Sequence, residues 1–116
     1  MTASPSADAA ALEDFRTVQQ WRQSFARFWR GGEPEPAAFE ALARFVAVNE
    51  VTPDEIIDSV LRSKESGDLM LRTRARRKWM DLIQEFEDTE QSRDAANGVR
   101  SFMIHNGVAM NPPILR

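Results

Sequence analysis

No cysteine occurs in the 116 residues, so disulfides, thiolate zinc sites and cysteine nucleophiles are excluded. Tyrosine is absent too, and the single histidine, His105, leaves no His-rich metal cluster and no His–His relay. No apolar run approaches the roughly 20 residues that a membrane span needs. The opening stretch MTASPSADAAALED has neither a basic n-region nor a continuous apolar core, so it does not read as a signal peptide. The cytoplasm is the expected location, without a membrane partner. No P-loop, dinucleotide-binding fingerprint or nucleophile elbow is present. The expectation is therefore no catalytic residue, no metal and no cofactor.

What is present is an ordinary globular composition, 42% hydrophobic and 28% charged, in a chain of single-domain length. Its net charge of −3 argues against a protein that coats nucleic acid. The charge is unevenly placed. Residues 1–60 hold 5 basic and 10 acidic side chains, and residues 61–116 hold 10 basic and 8 acidic. Arg72, Arg74, Arg76, Arg77 and Lys78 crowd into seven positions, which points to a basic face on the C-terminal half.

The hydrophobic periodicity is helical throughout. After a small, polar tail over residues 1–10, expected to be disordered, an amphipathic aromatic helix is expected over 11–30. Its apolar positions are Phe15, Val18, Trp21, Phe25, Phe28 and Trp29, ended by Gly31-Gly32. A second helix is expected over 37–48, with Phe39, Leu42, Ala43 and Val46 on one face. Thr52-Pro53-Asp54-Glu55 carries a capping box with proline at the first helical position, opening a third helix over 53–63 with Ile56, Ile57, Val60 and Leu61 inward. Lys64 to Gly67 breaks it. A fourth helix is expected over 68–87, with Leu69, Ala75, Trp79, Leu82, Ile83 and Phe86 buried, and a fifth over 92–105. Asn106-Gly107 reads as the left-handed stop of the fifth, with Val108 making the accompanying apolar contact. Asn111-Pro112-Pro113 ends regular structure, and 109–116 is expected to be extended. No strand is expected. The fold class is all-α, a compact bundle of four to five helices, with Trp79, Phe86, Val99 and Phe102 buried together.

Four features have more than one reading. Arg74, Arg77 and Lys78 fall on the outer face of the fourth helix, with Arg72 and Arg76 flanking its apolar stripe. They are either a solvated face, with Arg77–Asp81 as an i,i+4 pair, or a set of phosphate contacts. On the fifth helix Arg93, Asn97, Arg100 and Ile104 share a face. Arg and Asn are the side chains that pair with guanine and adenine edges, and Gly98 would admit a close backbone. Alternatively Arg93 pairs with Glu90 or Asp94 and Gly98 eases packing. His105 reads as a surface or last-turn histidine, and Glu85, Glu87, Asp88 and Glu90 as a solvated helix end. The aromatic helix, finally, belongs either to the core or to a partner-binding surface, in which case the chain is a small helical protein–protein interaction domain using residues 15–29.

The order of these features resembles the SAM-like core-binding domain on the N-terminal side of tyrosine recombinases, the phage-integrase family. Three stretches carry the resemblance: Thr52 to Ile57 as the capped start of that domain's second helical element, Trp79 to Phe86 as the helix before its serine turn, and Val99 to Val108 as its helix-and-cap pattern. They span roughly residues 37–116, with 37–108 as the domain and 109–116 as the start of the interdomain linker. This sequence departs from the pattern after the turn serine, where Ser92 is followed by Arg93-Asp94-Ala95. The family's catalytic Arg, Lys, His and tyrosine set has no counterpart here. The resemblance thus implies a DNA-binding module of a site-specific recombinase that clamps duplex DNA beside a catalytic domain and cuts nothing by itself. The implied partners are double-stranded DNA, the parent's catalytic domain and other recombinase protomers. The implied DNA contacts are Arg72, Arg74, Arg77, Lys78, Arg93, Asn97 and Arg100.

Overall fold

Residues 12–63 and 69–110 are described in the computed structural model of the chain. A 3-10 turn, Leu12–Asp14, leads into α1 (Arg16–Phe28), α2 (Pro36–Asn49) and α3 (Pro53–Val60). A hairpin of β1 (Leu61–Ser63) and β2 (Leu69–Leu71) follows, then α4 (Thr73–Glu90) and α5 (Arg93–His105). The fold is all-α apart from that hairpin. The expected tail over 1–10, the break over 64–67 and the stretch from residue 111 onward lie outside the described residues.

Local chemistry sets most of the helix ends. At α3, Glu55 N–H donates to Thr52 Oγ1 at 3.1 Å while Thr52 N–H donates to Glu55 Oε1 at 2.8 Å, so the capping box closes with Pro53 at the first position. Ser92 opens α5 by accepting from Ala95 N–H at 3.1 Å. Gly107, at φ +93°, ends α5. Its N–H donates to Ile104 O and that of Val108 to Met103 O, a Schellman pair, and Val108 is fully buried. α1 has no cap of its own. Its first turn is satisfied from α3, where Asp54 Oδ1 accepts from both Thr17 N–H, at 2.9 Å, and Thr17 Oγ1, at 2.6 Å.

α5 is the central helix, packed against α1, α2 and α4, while α3 bridges α1 and α4. Two aromatic clusters fill the core. Trp21 lies 4.8 Å from Phe39 and edge-on to Phe102 at 5.7 Å, and Phe45 meets Trp79 at 6.0 Å and Phe86 at 5.4 Å. Trp79, Phe86, Val99 and Phe102 are all buried, as the periodicity predicts. Phe102 sits in the first cluster and Trp79 and Phe86 in the second, with Phe45 joining the latter two. Gly98 sits where α5 crosses α2: a Cβ there would meet Ala38 Cα at 3.0 Å. The packing explanation of this glycine therefore holds.

The hairpin corrects two expected boundaries. The third helix stops at Val60 instead of 63, and the fourth starts at Thr73 instead of 68. Leu61 pairs with Leu71, Arg62 with Met70 and Ser63 with Leu69, and Arg72 N–H donates to Val60 O at 2.7 Å across the hairpin's base. Short apolar runs on either side of a polar break satisfy helical and extended patterns alike, and tertiary pairing decides between them. Two further boundaries move. α4 continues to Glu90, so the turn expected over Asp88–Gln91 shrinks to Gln91, at φ 51°. Ala109 and Met110 belong to the folded body instead of a linker: Met110 is buried and Ala109 O accepts from Arg76 Nε at 2.7 Å.

Candidate nucleic-acid interface

The basic cluster straddles the junction between the hairpin and α4. Arg72 is the N-cap of α4 and carries no side-chain capping bond, and the first turn of that helix contains no acidic residue. Helix N-termini favour anions because their free N–H groups and dipole present positive charge. Placing Arg72, Arg74, Arg76, Arg77 and Lys78 there stacks positive charge on positive charge, which works against folding.

Four of the five bases are exposed: Arg72, Arg74, Arg77 and Lys78. Lys78 Nζ lies 5.1 Å above the Trp79 ring, which steers that ammonium along the helix surface. The fifth, Arg76, turns inward onto Ala109 O. The Arg77–Asp81 pair expected from i,i+4 spacing does not form, and none of the four exposed bases pairs with a carboxylate among the described residues. Of the bases elsewhere, Arg27, Arg30 and Arg93 are likewise exposed and in no ion pair among the described residues, whereas four others are paired. Arg16 binds Asp58 at 2.8 Å, Arg22 binds Glu33 at 2.6 Å, Arg44 binds Glu90 at 2.9 Å and Arg100 binds Glu87 at 2.8 Å. Hydrogen bonding to Glu33 raises the pKa of the Arg22 guanidinium above its ordinary value.

The second expected set does not assemble. Arg93 is exposed at the start of α5, but Arg100 is only 4% exposed. Its guanidinium donates to Glu87 Oε1 at 2.8 Å and to Asn97 Oδ1 at 2.9 Å, and this hydrogen bond holds the Glu87 carboxyl below its ordinary pKa. Arg100 and the Asn97 carbonyl oxygen thus spend their hydrogen bonds inside the fold, and neither presents the free fork that base-edge recognition requires. Nor does Arg93 form the expected pair with Glu90 or Asp94; Glu90 is held by Arg44. Glu87, where Arg93 exerts its electrostatic influence, lies 13 residues beyond Arg74 on α4, roughly 20 Å at 1.5 Å per residue. The two sets of bases are separate surfaces. The expected solvated acidic end of the fourth helix is also partly consumed, since Glu87 and Glu90 are both in ion pairs.

His105 is buried in the last turn of α5 instead of lying at the surface. Ser24 Oγ sits 2.8 Å from its Nδ1, the Phe25 and Phe28 rings lie 5.4 and 6.2 Å away, and burial lowers its pKa. The aromatic helix docks on its own core. Val18 and Trp21 are fully buried and Trp21 Nε1 donates to Ser101 Oγ at 3.1 Å, while Phe28 remains 63% exposed. A groove between the end of α1 and the starts of α2 and α5 is walled by Phe25 and Trp29 and carries Glu35, Glu40 and Asp94, a set that repels phosphate. Among the described residues no group of three or more His, Cys, Asp or Glu is placed to hold a metal, and no helix is long and apolar enough to cross a membrane. Comparison with models of protein families, with curated proteins and with solved structures found no match in any of the three.

Proposed function

We propose that this chain is a DNA-binding module that grips the phosphate backbone of duplex DNA through Arg72, Arg74, Arg77 and Lys78, and that it serves a site-specific recombinase as a core-binding domain. The observation that carries this reading is the density of exposed bases at the N-terminus of α4: Arg72, Arg74, Arg77 and Lys78 lie within seven positions, with no carboxylate partner among the described residues. Charge held at a helix end where it opposes the dipole does not serve folding. It does serve a polyanion, which meets side-chain cations and backbone N–H groups together. The order of capped helices from Thr52 to Val108, similar to that of the recombinase core-binding domain, supplies the wider context: a module that binds beside a separate catalytic domain and performs no strand cleavage alone.

The test is titration of the purified chain into fluorescent duplex DNA at low salt. Arg74→Glu with Arg77→Glu should weaken binding at least tenfold on every sequence, because phosphate contacts position without specifying. Arg93→Glu, on the other surface, should change it little. Absence of binding by the wild-type chain, or equal losses from both variants, would overturn the reading. The exposed end of the aromatic helix around Phe28 would then become the first place to look for a partner.

A further inference from the structure

The groove at the end of α1 carries the opposite charge to the basic cluster. Phe25 and Trp29 of α1 wall it, Ala38 of α2 and Ala95 and Gly98 of α5 line it with small groups, and its volume is about 970 Å³. The aromatic surface continues past the groove. Trp29 lies 6.3 Å from Phe25, and the Phe28 ring stands edge-on to Trp29 at 5.4 Å. Phe28 is 63% exposed, the most of any ring in the chain's aromatic clusters. A lone exposed aromatic needs no explanation, but one that extends the wall of an apolar groove makes a contiguous apolar surface of the kind that marks an interaction site.

The rim selects the occupant. Four exposed carboxylates line the groove, Glu33, Glu35, Glu40 and Asp94, against one guanidinium, Arg44, which is held by Glu90. Glu33 is held by Arg22, which leaves Glu35, Glu40 and Asp94 in no ion pair among the described residues. The exposed Arg27, Arg30 and Arg93 are not part of the lining. Glu35, at the N-cap of α2, and Asp94, in the first turn of α5, also complement the dipoles of those helices. Glu40 does not, since it lies beyond the first turn of α2, where the dipole effect has faded. Carboxylates and aromatic rings both attract cations, and the apolar surface between them takes an aliphatic side chain.

We propose that this groove docks a basic amphipathic segment of a partner protein. An aliphatic side chain of that segment seats against Phe25, Trp29 and Ala38, and its Arg or Lys side chains meet Glu35, Glu40, Asp94 and the Phe28 ring. This is the helix-in-groove mode of recognition, with charge complementarity setting the choice of partner. The inference does not rest on the DNA-binding reading, because none of Arg72, Arg74, Arg77 and Lys78 lines the groove.

The experiment uses the full chain and labelled synthetic peptides of equal length: one of Leu and Arg in amphipathic helical order, one with Glu in place of Arg, and one with Ser in place of Leu. Only the Leu–Arg peptide should bind saturably at micromolar concentration in physiological salt. Glu40→Lys and Phe28→Ala should each weaken it at least about fivefold. Glu85→Lys, the same charge reversal at an exposed position of α4, should stay within about twofold of wild type. Glu40 and Phe28 are exposed, so both variants should keep the wild-type circular dichroism, and Phe28→Ala should bind duplex DNA as wild type does. Equal losses from Glu40→Lys and Glu85→Lys would reduce the binding to net charge and overturn the proposal. So would full affinity in Phe28→Ala, equal binding of the Ser peptide, or no saturable binding of the Leu–Arg peptide.

Discussion

Arg100 and Glu87 form an ion pair at 2.8 Å between α5 and α4, with the arginine only 4% exposed and Asn97 accepting a second hydrogen bond from the same guanidinium nitrogen. The pair joins the two helices of the C-terminal half. Arg100→Ala removes a buried guanidinium together with its hydrogen bonds to Glu87 and Asn97, so it should shift urea unfolding to lower denaturant. Its effect on DNA binding by the folded protein should stay within about twofold, since its guanidinium is engaged inside the fold. Unchanged stability together with a selective loss of preference at one or two base pairs would show that Arg100 reads DNA after all.

Gly98→Ala tests the α5–α2 crossing. In an isolated helix this change is favourable by about 1 kcal/mol. Here the new Cβ would lie 3.0 Å from Ala38 Cα, a backbone atom that yields only if the helices separate. The expected net effect is a loss of about 1–3 kcal/mol, the usual range for an overfilled core, read by chemical denaturation. A stabilised variant would mean that the two helices are less tightly joined.

His105 makes stability pH-dependent. Its pKa is lowered by burial, so the unfolded chain binds more protons than the native one between the native pKa and the ordinary value of about 6.5. The stability contributed by the neutral ring is present above that window and falls away as pH drops through it. Thermal midpoints should therefore decline from pH 7.5 to pH 5.5, and His105→Gln should flatten the decline. Glu87, whose pKa is also lowered, acts below the ordinary carboxylate range and does not interfere there. A decline equally steep in the glutamine variant would place the responsible group elsewhere.

The legible parts of this fold were those written in local chemistry. The Thr52 capping box, the Gly107 stop and the apolar spacing of α5 each specify their own conformation, and the structure has them at the expected residues, whereas the aromatic helix expected over 11–30 is a 3-10 turn followed by α1 over Arg16–Phe28, with Phe28 exposed. Phe45 escaped notice although it lies three residues from Leu42 and joins Trp79 to Phe86, because the face assigned to α2 was too narrow. The hairpin was hidden because its pairing joins Leu61 to Leu71 across a polar break. Arg100 misled for a related reason: its spacing from Arg93 and Asn97 fits an outer face, while Glu87, the partner that draws it inward, lies 13 residues earlier in the chain.

The central claim is that the exposed bases at the start of α4 neutralise phosphates, and the salt dependence of DNA binding measures it most directly. Four phosphates met by Arg72, Arg74, Arg77 and Lys78 give a slope of log K against log salt of about −4, and Arg74→Glu with Arg77→Glu should bring it to about −2 or flatter. A slope near zero in the wild type, or one that the double variant leaves unchanged, would contradict the account.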